Sequence, residues 1–134
     1  MLSLQTKQGR IRVTACLLGA VFFVGNAIAI DPAAEGRTLY QNQCGGCHSV
    51  ETNRIGPRHR GVVGRRIASV ADYDYSPALK RLDGVWTPTR LDVWLSGTQK
   101  MAPGSTMYLA LDDAEERHLI IAYLKSISRP GGSK

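Results

Sequence analysis

Cys44-Gly45-Gly46-Cys47-His48 spells C-x-x-C-H. Thiols at this spacing suit two thioether bonds to the vinyl groups of one haem, and the adjacent imidazole can reach its iron from the same side. A redox disulfide would want a thioredoxin-like strand–helix context, and a zinc site would want two further Cys or His ligands. The chain supplies neither: Cys16 lies in an apolar leader, and His59 and His118 form no ligand pair. The motif therefore implies one covalently attached haem c, with iron.

The segments before the motif suggest where such a protein works. Residues 1–29 read as a cleavable secretory signal peptide, with Lys7, Arg10 and Arg12 ahead of an apolar run from Ala15 to Gly25. Ala27-Ile28-Ala29 then forms an A-x-A cleavage site. The alternative is an uncleaved N-terminal anchor, although the run is short for a membrane span and is broken by Asn26. Residues 30–134 are then one small domain, placed in the periplasm, without stable membrane insertion once the signal is cut. The whole chain carries a formal charge of +6, three of it from Lys7, Arg10 and Arg12, so the domain carries +3. That mild excess favours an acidic partner, and no basic–aromatic run speaks for nucleic acid. An exported pair of cysteines would ordinarily oxidise to a disulfide. Capture by haem resolves that, so leader and motif agree.

Three helical segments stand out among loops rich in glycine and proline. The first opens with Asp31 as N-cap and Pro32 at the first helical position, and carries Gly36 and Tyr40 into the motif. The second starts at Thr87-Pro88, sets Leu91, Trp94 and Leu95 on one face and ends near Gly97. The third begins at Asp112, with Glu115 three positions on. Its Ile120, Tyr123, Leu124 and Ile127 form a buried stripe. Residues 49–86 show no sustained period and read as loops with at most short helices. So long a connection is unusual in a compact domain, and wrapping around a haem is its physical reason. The tail from Arg129 to Lys134 reads as frayed. The fold class is all-α: three main helices plus loops around one haem.

One histidine leaves the iron a sixth position. A methionine there makes an electron-transfer site, and an open position allows binding or catalysis. With Met1 in the leader, Met101 and Met107 are the candidates, both in the loop after the second segment, and spacing alone does not choose between them.

Over residues 31–127 the chain resembles the class I c-type cytochromes, the small monohaem electron carriers. Gly36 and Tyr40 match the family's glycine and aromatic on the first helix, and Ile120 and Tyr123 match their partners on the last. The resemblance implies that the carbonyl of Pro57, in Gly56-Pro57, accepts the proton-bearing nitrogen of the axial His48, a bond that fixes the ring. Pro103-Gly104-Ser105-Thr106-Met107 matches the family's P-G-x-x-M loop, which makes Met107 the implied second axial ligand and Met101 a loop residue. Arg65, Tyr75 and Trp86 fall where the family surrounds the inner propionate, a charge that is costly to bury unless paired or hydrogen-bonded. Trp94 stands where many relatives have a tyrosine, and Leu109 where they often have an aromatic. Gln43 and Gln99 stand at two positions of a lysine ring that relatives use for docking, while Lys100 is retained. Arg54, Arg58, Arg60, Arg65 and Arg66 read as a solvated face, and His59 falls in what the family makes a surface turn.

The implied function is an exported, monomeric, non-enzymatic carrier of one electron at a time. Its donor would be a quinol-oxidising complex or a dehydrogenase, and its acceptor a terminal oxidase or reductase. The alternatives are a haem subunit fixed within an exported dehydrogenase or oxidase, and a gas-binding haem sensor.

Overall fold

Two prolines and two aspartates set the ends of the longest helices. The computed structural model describes residues 31–129, so the signal-peptide reading of 1–29 and the frayed tail beyond Arg129 lie outside the described residues. Five helices run in chain order: α1 (Pro32–Gln43), α2 (Pro77–Lys80), α3 (Pro88–Ser96), α4 (Thr98–Met101) and α5 (Ala114–Ser126). No strand occurs among the described residues, only an isolated antiparallel bridge between Arg66 and Val85. The molecule is all-α. Asp31 accepts from the Ala33 amide at 3.0 Å ahead of Pro32, and Thr87 accepts from the Arg90 amide at 3.1 Å ahead of Pro88. Both caps satisfy amides that a helix start leaves without partners.

The third main helix starts one residue later than its sequence suggests. Asp113, not Asp112, is the N-cap, accepting from the amides of Glu115 and Glu116 at 2.8 and 3.4 Å. Glu116 then sits where a capping-box carboxylate would turn back, but it accepts instead from Gln43 Nε2 at 2.7 Å and so ties α5 to the end of α1.

The framework is the crossing of α1 and α5. Gly36 makes it possible: a Cβ built there would lie 1.9 Å from the carbonyl oxygen of Leu119. One turn on, the Tyr40 ring packs against Tyr123 with centroids 5.1 Å apart. Ile120 is fully buried, and Leu119, Ile121 and Leu124 are buried beside it. Helix α3 adds Leu91, Trp94 and Leu95 to this core. Arg117 secures the α3–α5 side, its Nε on Asp92 at 2.7 Å and its guanidinium donating to the Leu111 carbonyl at 2.8 Å.

Residues 49–86 contain only the one-turn α2, as a pattern without a period implies, yet they are far from structureless. The amides of His59 and Arg60 donate to the carbonyls of Ser49 and Val50 at 3.0 and 2.8 Å. Around the bridge, Gly64 donates to Trp86 and Trp86 to Arg65, each at 2.9 Å, while Gly64 and Gly84 take φ values of +89° and +93° that a side chain would strain. The segment also reaches the C-terminal end, where Val63 N–H donates to Ser128 Oγ at 3.0 Å.

The crossing and the shifted cap each predict a stability change. Gly36→Ala costs about 2–3 kcal/mol through overpacking against a backbone that cannot yield, and thermal unfolding records it as a Tm lower by roughly 10 °C or more. Asp113→Ala costs about 1 kcal/mol, whereas Asp112→Ala leaves the melt unchanged. The reverse order would return the cap to Asp112.

Candidate functional site

Helix α1 does not stop cleanly at Gln43 but tightens into the motif. Cys44 N–H and Gly45 N–H both donate to the Tyr40 carbonyl, at 2.8 and 3.0 Å, and His48 N–H donates to the Cys44 carbonyl at 2.8 Å. This turn carries Cys44, Cys47 and His48 to the wall of one cavity of about 290 Å³. Cys44 is buried, Cys47 is exposed, and both are free thiols. Burial, then the nearby negative charge of Glu116, pushes the Cys44 thiol up to about 12. Among the described residues, no group of three or more His, Cys, Asp and Glu gathers to hold a metal.

The His48 ring is fixed from several sides. Its Nδ1 lies 2.8 Å from the Pro57 carbonyl oxygen. A carbonyl can only accept, so Nδ1 carries the proton and the neutral ring keeps Nε2 free to ligate. Burial lowers the imidazole's pKa, and the Pro57 bond opposes that shift in part. Gly56 is pressed against the ring, and a Cβ there would fall 2.2–2.6 Å from three ring atoms. The loop is stitched back to the motif by Gly56 N–H on the Cys47 carbonyl at 2.9 Å and by the Arg54 guanidinium on the Gly45 carbonyl at 2.7 Å.

His59 departs from its sequence reading. Rather than standing in a surface turn, it is partly buried at the cavity wall, stacked on His48 with centroids 4.1 Å apart and planes 19° off parallel. Its Nδ1 pairs with the Tyr40 hydroxyl at 3.1 Å. Burial first, then the proximity of His48 and Arg65, holds its pKa well below the ordinary histidine value. A partner hydroxyl supplied by α1 and a flat ring to stack on make this interior position tenable, and neither is visible from Arg58-His59-Arg60 alone.

Arg65, Tyr75 and Trp86 all border the same cavity. The Arg65 guanidinium donates to the carbonyls of Arg60 and Arg58 at 3.1 and 2.9 Å. Its Nε is the buried side-chain nitrogen or oxygen that lacks a hydrogen-bond partner among the described residues. A buried cationic N–H left without an acceptor is costly, and an anionic group in the cavity would complete it. This orphaned donor, two thiols and a histidine of fixed tautomer together fit a haem with its propionates.

Met107 also borders the cavity, as do Trp94 and Leu109; Met101 does not, but ends α4 and packs against the core. Ile55 and Tyr108 stand at the cavity too and are 75% and 79% exposed. Four of the five arginines after the motif are engaged within the molecule: Arg58 pairs with Asp72 at 2.7 Å, Arg60 with Glu51, and Arg54 and Arg65 hold backbone carbonyls. Gln43 and Gln99 are engaged as well, on Glu116 and on the segment before Met107, respectively.

Comparison with known proteins is consistent with this site. The family model for cytochrome c matches residues 33–128. The c-type cytochrome cy of Rhodobacter capsulatus is 36% identical over 110 residues, which cover 76% of this chain but 55% of that protein. Cytochrome c2 of Agrobacterium tumefaciens is 38% identical over 98 residues, covering 68% of this chain and 87% of that one. Among solved structures, cytochrome cH from Methylobacterium extorquens superposes with a TM-score of 0.66 at 38% identity, covering 70% of this chain and 97% of that one.

The packing of His48 yields a paired test. Gly56→Ala forces the ring off Pro57 and lowers the holoprotein's stability by about 2 kcal/mol in thermal unfolding. Gly46→Ala, whose added methyl meets nothing within 4 Å, leaves it unchanged. Equal melts for the two variants would mean that the ring does not pack on Gly56.

Proposed function

We propose that this chain, which belongs to the cytochrome c family, is an exported carrier of single electrons between larger redox complexes. Members of the family hold haem c by covalent attachment and transfer electrons, and this chain carries the C-x-x-C-H motif for it. Bound haem supplies an iron that changes between ferrous and ferric by one electron. The chain's own residues set how it does so.

Cys44 and Cys47 would anchor the macrocycle through thioethers, with His48 and Met107 as the two axial ligands. The observation that carries the reading is that His48, with its tautomer fixed by Pro57, and Met107 border one cavity while Met101 lies elsewhere. With His48 and Met107 both available to hold the iron, bound haem would supply one-electron chemistry rather than a site for a substrate or gas, so the reading is a carrier rather than a catalyst or a sensor. A ring fixed as His48 is, by Pro57 and Gly56, would keep rearrangement small when an electron moves. Arg65 would meet the inner propionate through the N–H that otherwise lacks an acceptor, with Tyr75 and Trp86 beside it.

The periplasm is the proposed compartment, reached through the leader at 1–29, and the free monomer is the proposed form. The donor would be a quinol-oxidising complex or a dehydrogenase, and the acceptor a terminal oxidase or reductase. Among the described residues no helix is long and apolar enough to cross a membrane.

A visible-spectrum redox titration of the mature holoprotein, repeated under carbon monoxide, tests the ligand assignment. The expected result is a clearly positive one-electron potential and no shift under the gas within the time of the titration. Met107→Ala should lower the potential and let the reduced iron bind carbon monoxide, while Met101→Ala should change neither. The opposite pattern would reassign the ligand to Met101.

A further inference from the structure

The backbone around Met107 is held by side chains that the haem reading does not use. The Met107 carbonyl receives the Thr98 hydroxyl at 2.7 Å, Gln99 Nε2 at 2.8 Å and the Ser105 hydroxyl at 3.0 Å. Three donors on one carbonyl is unusual company for a loop. Gln99 is saturated: Nε2 also donates to the Ser105 carbonyl at 2.9 Å, and Oε1 accepts from Gly104 N–H at 3.1 Å. One carboxamide thus spans the turn from Gly104 to Met107, and both of its amide protons and its oxygen are in use. Thr98 is fully buried. Its hydroxyl gives its single proton to Met107 and accepts from Leu109 N–H at 3.1 Å, while its own amide donates to the Leu109 carbonyl at 3.0 Å. Both residues sit on the one-turn helix α4, which follows α3 and packs against it.

We propose that Gln99 and Thr98 are positioning residues that clamp the main chain of Met107 and so limit how often its sulfur leaves the iron. The inference rests on Met107 being the axial ligand. A Met–iron bond is weak beside an imidazole bond, so its persistence depends on how little the backbone bearing the methionine can move. Removing the Thr98 hydroxyl takes the acceptor from the Leu109 amide, and removing the Gln99 carboxamide takes a donor from the Ser105 carbonyl, so the penalty falls on the segment that must stay in place. Gln99 therefore belongs to the ligand's support and not to a docking rim, where its alignment with a lysine would put it.

The test uses the holoprotein and four variants. Gln99→Glu keeps the shape but turns an acceptor toward the carbonyls of Ser105 and Met107, and Gln99→Met keeps the length without either function. Thr98→Val removes the hydroxyl at constant shape, and Thr98→Ser restores it. The readouts are the rate at which carbon monoxide binds the reduced protein and the strength of the methionine-to-iron charge-transfer absorption in the oxidised protein. Gln99→Glu and Thr98→Val should each bind the gas about tenfold faster and weaken the absorption, with Gln99→Met next in order and Thr98→Ser near the parent. Thermal stability is measured alongside, and a Val63→Ala control that lowers it comparably should leave gas binding unchanged. Met107→Ala sets the fully open limit. If it admits the gas freely while Gln99→Glu, Gln99→Met and Thr98→Val do not exceed the parent, the clamp is refuted and the ligand stands. If Met107→Ala itself stays closed to the gas, the ligand assignment fails and takes the clamp with it.

Discussion

The backbone contact between α1 and α5 is the constraint on which the rest depends. Because position 36 lacks a side chain, α1 can press against the Leu119 carbonyl. That closeness fixes the course of α1, and the motif simply prolongs its last turn: Cys44 and Gly45 bond back to Tyr40 on the same helix. Tyr40 then serves two neighbours at once, its ring on Tyr123 and its hydroxyl on His59. The site is therefore an extension of the helix crossing, and an error of an ångström there would be delivered directly to Cys44, Cys47 and His48.

A second layer of order lies in the long connection. It has little regular structure, yet its polar groups are distributed with economy. Pro57 gives its carbonyl to His48, Arg58 and Arg60 give theirs to Arg65, and Arg65, which borders the cavity, has one N–H to spare. Buried polar groups in a loop are tolerable only when nearly all are satisfied, and a network of this kind fixes one conformation where apolar packing alone would allow several. It explains how residues 49–86 can be ordered without a hydrophobic period.

Much of this was legible in the sequence because it is local. The C-x-x-C-H spacing, the aspartate–proline and threonine–proline helix starts and the apolar stripe on α5 are set by neighbours within a turn or two. The features that escaped depend on contacts across the chain. Asp112 and Asp113 are equivalent as caps until the path of the chain ahead of them is known, and Glu116 has a partner in Gln43 far away in sequence. His59 reads as polar and exposed between two arginines, and only the fold supplies Tyr40 and His48. Gln99 resembles a surface residue by composition, and its bonds to Gly104, Ser105 and Met107 exist because α4 turns it back on the chain.

The arginines beyond the motif have a consequence at longer range. Arg58 and Arg60 lie within contact of Asp72 and Glu51, so each cation is matched by an anion almost on top of it. Seen from a Debye length away, such pairs are dipoles, and their field dies much faster than that of an isolated charge. At the cavity, Ile55 and Tyr108 stand strongly exposed and carry no charge at all. Arg58 and Arg60 would therefore add little long-range pull on a protein approaching this side. Productive encounters there would be chosen largely by fit and desolvation on contact, with salt acting through the domain's remaining charges.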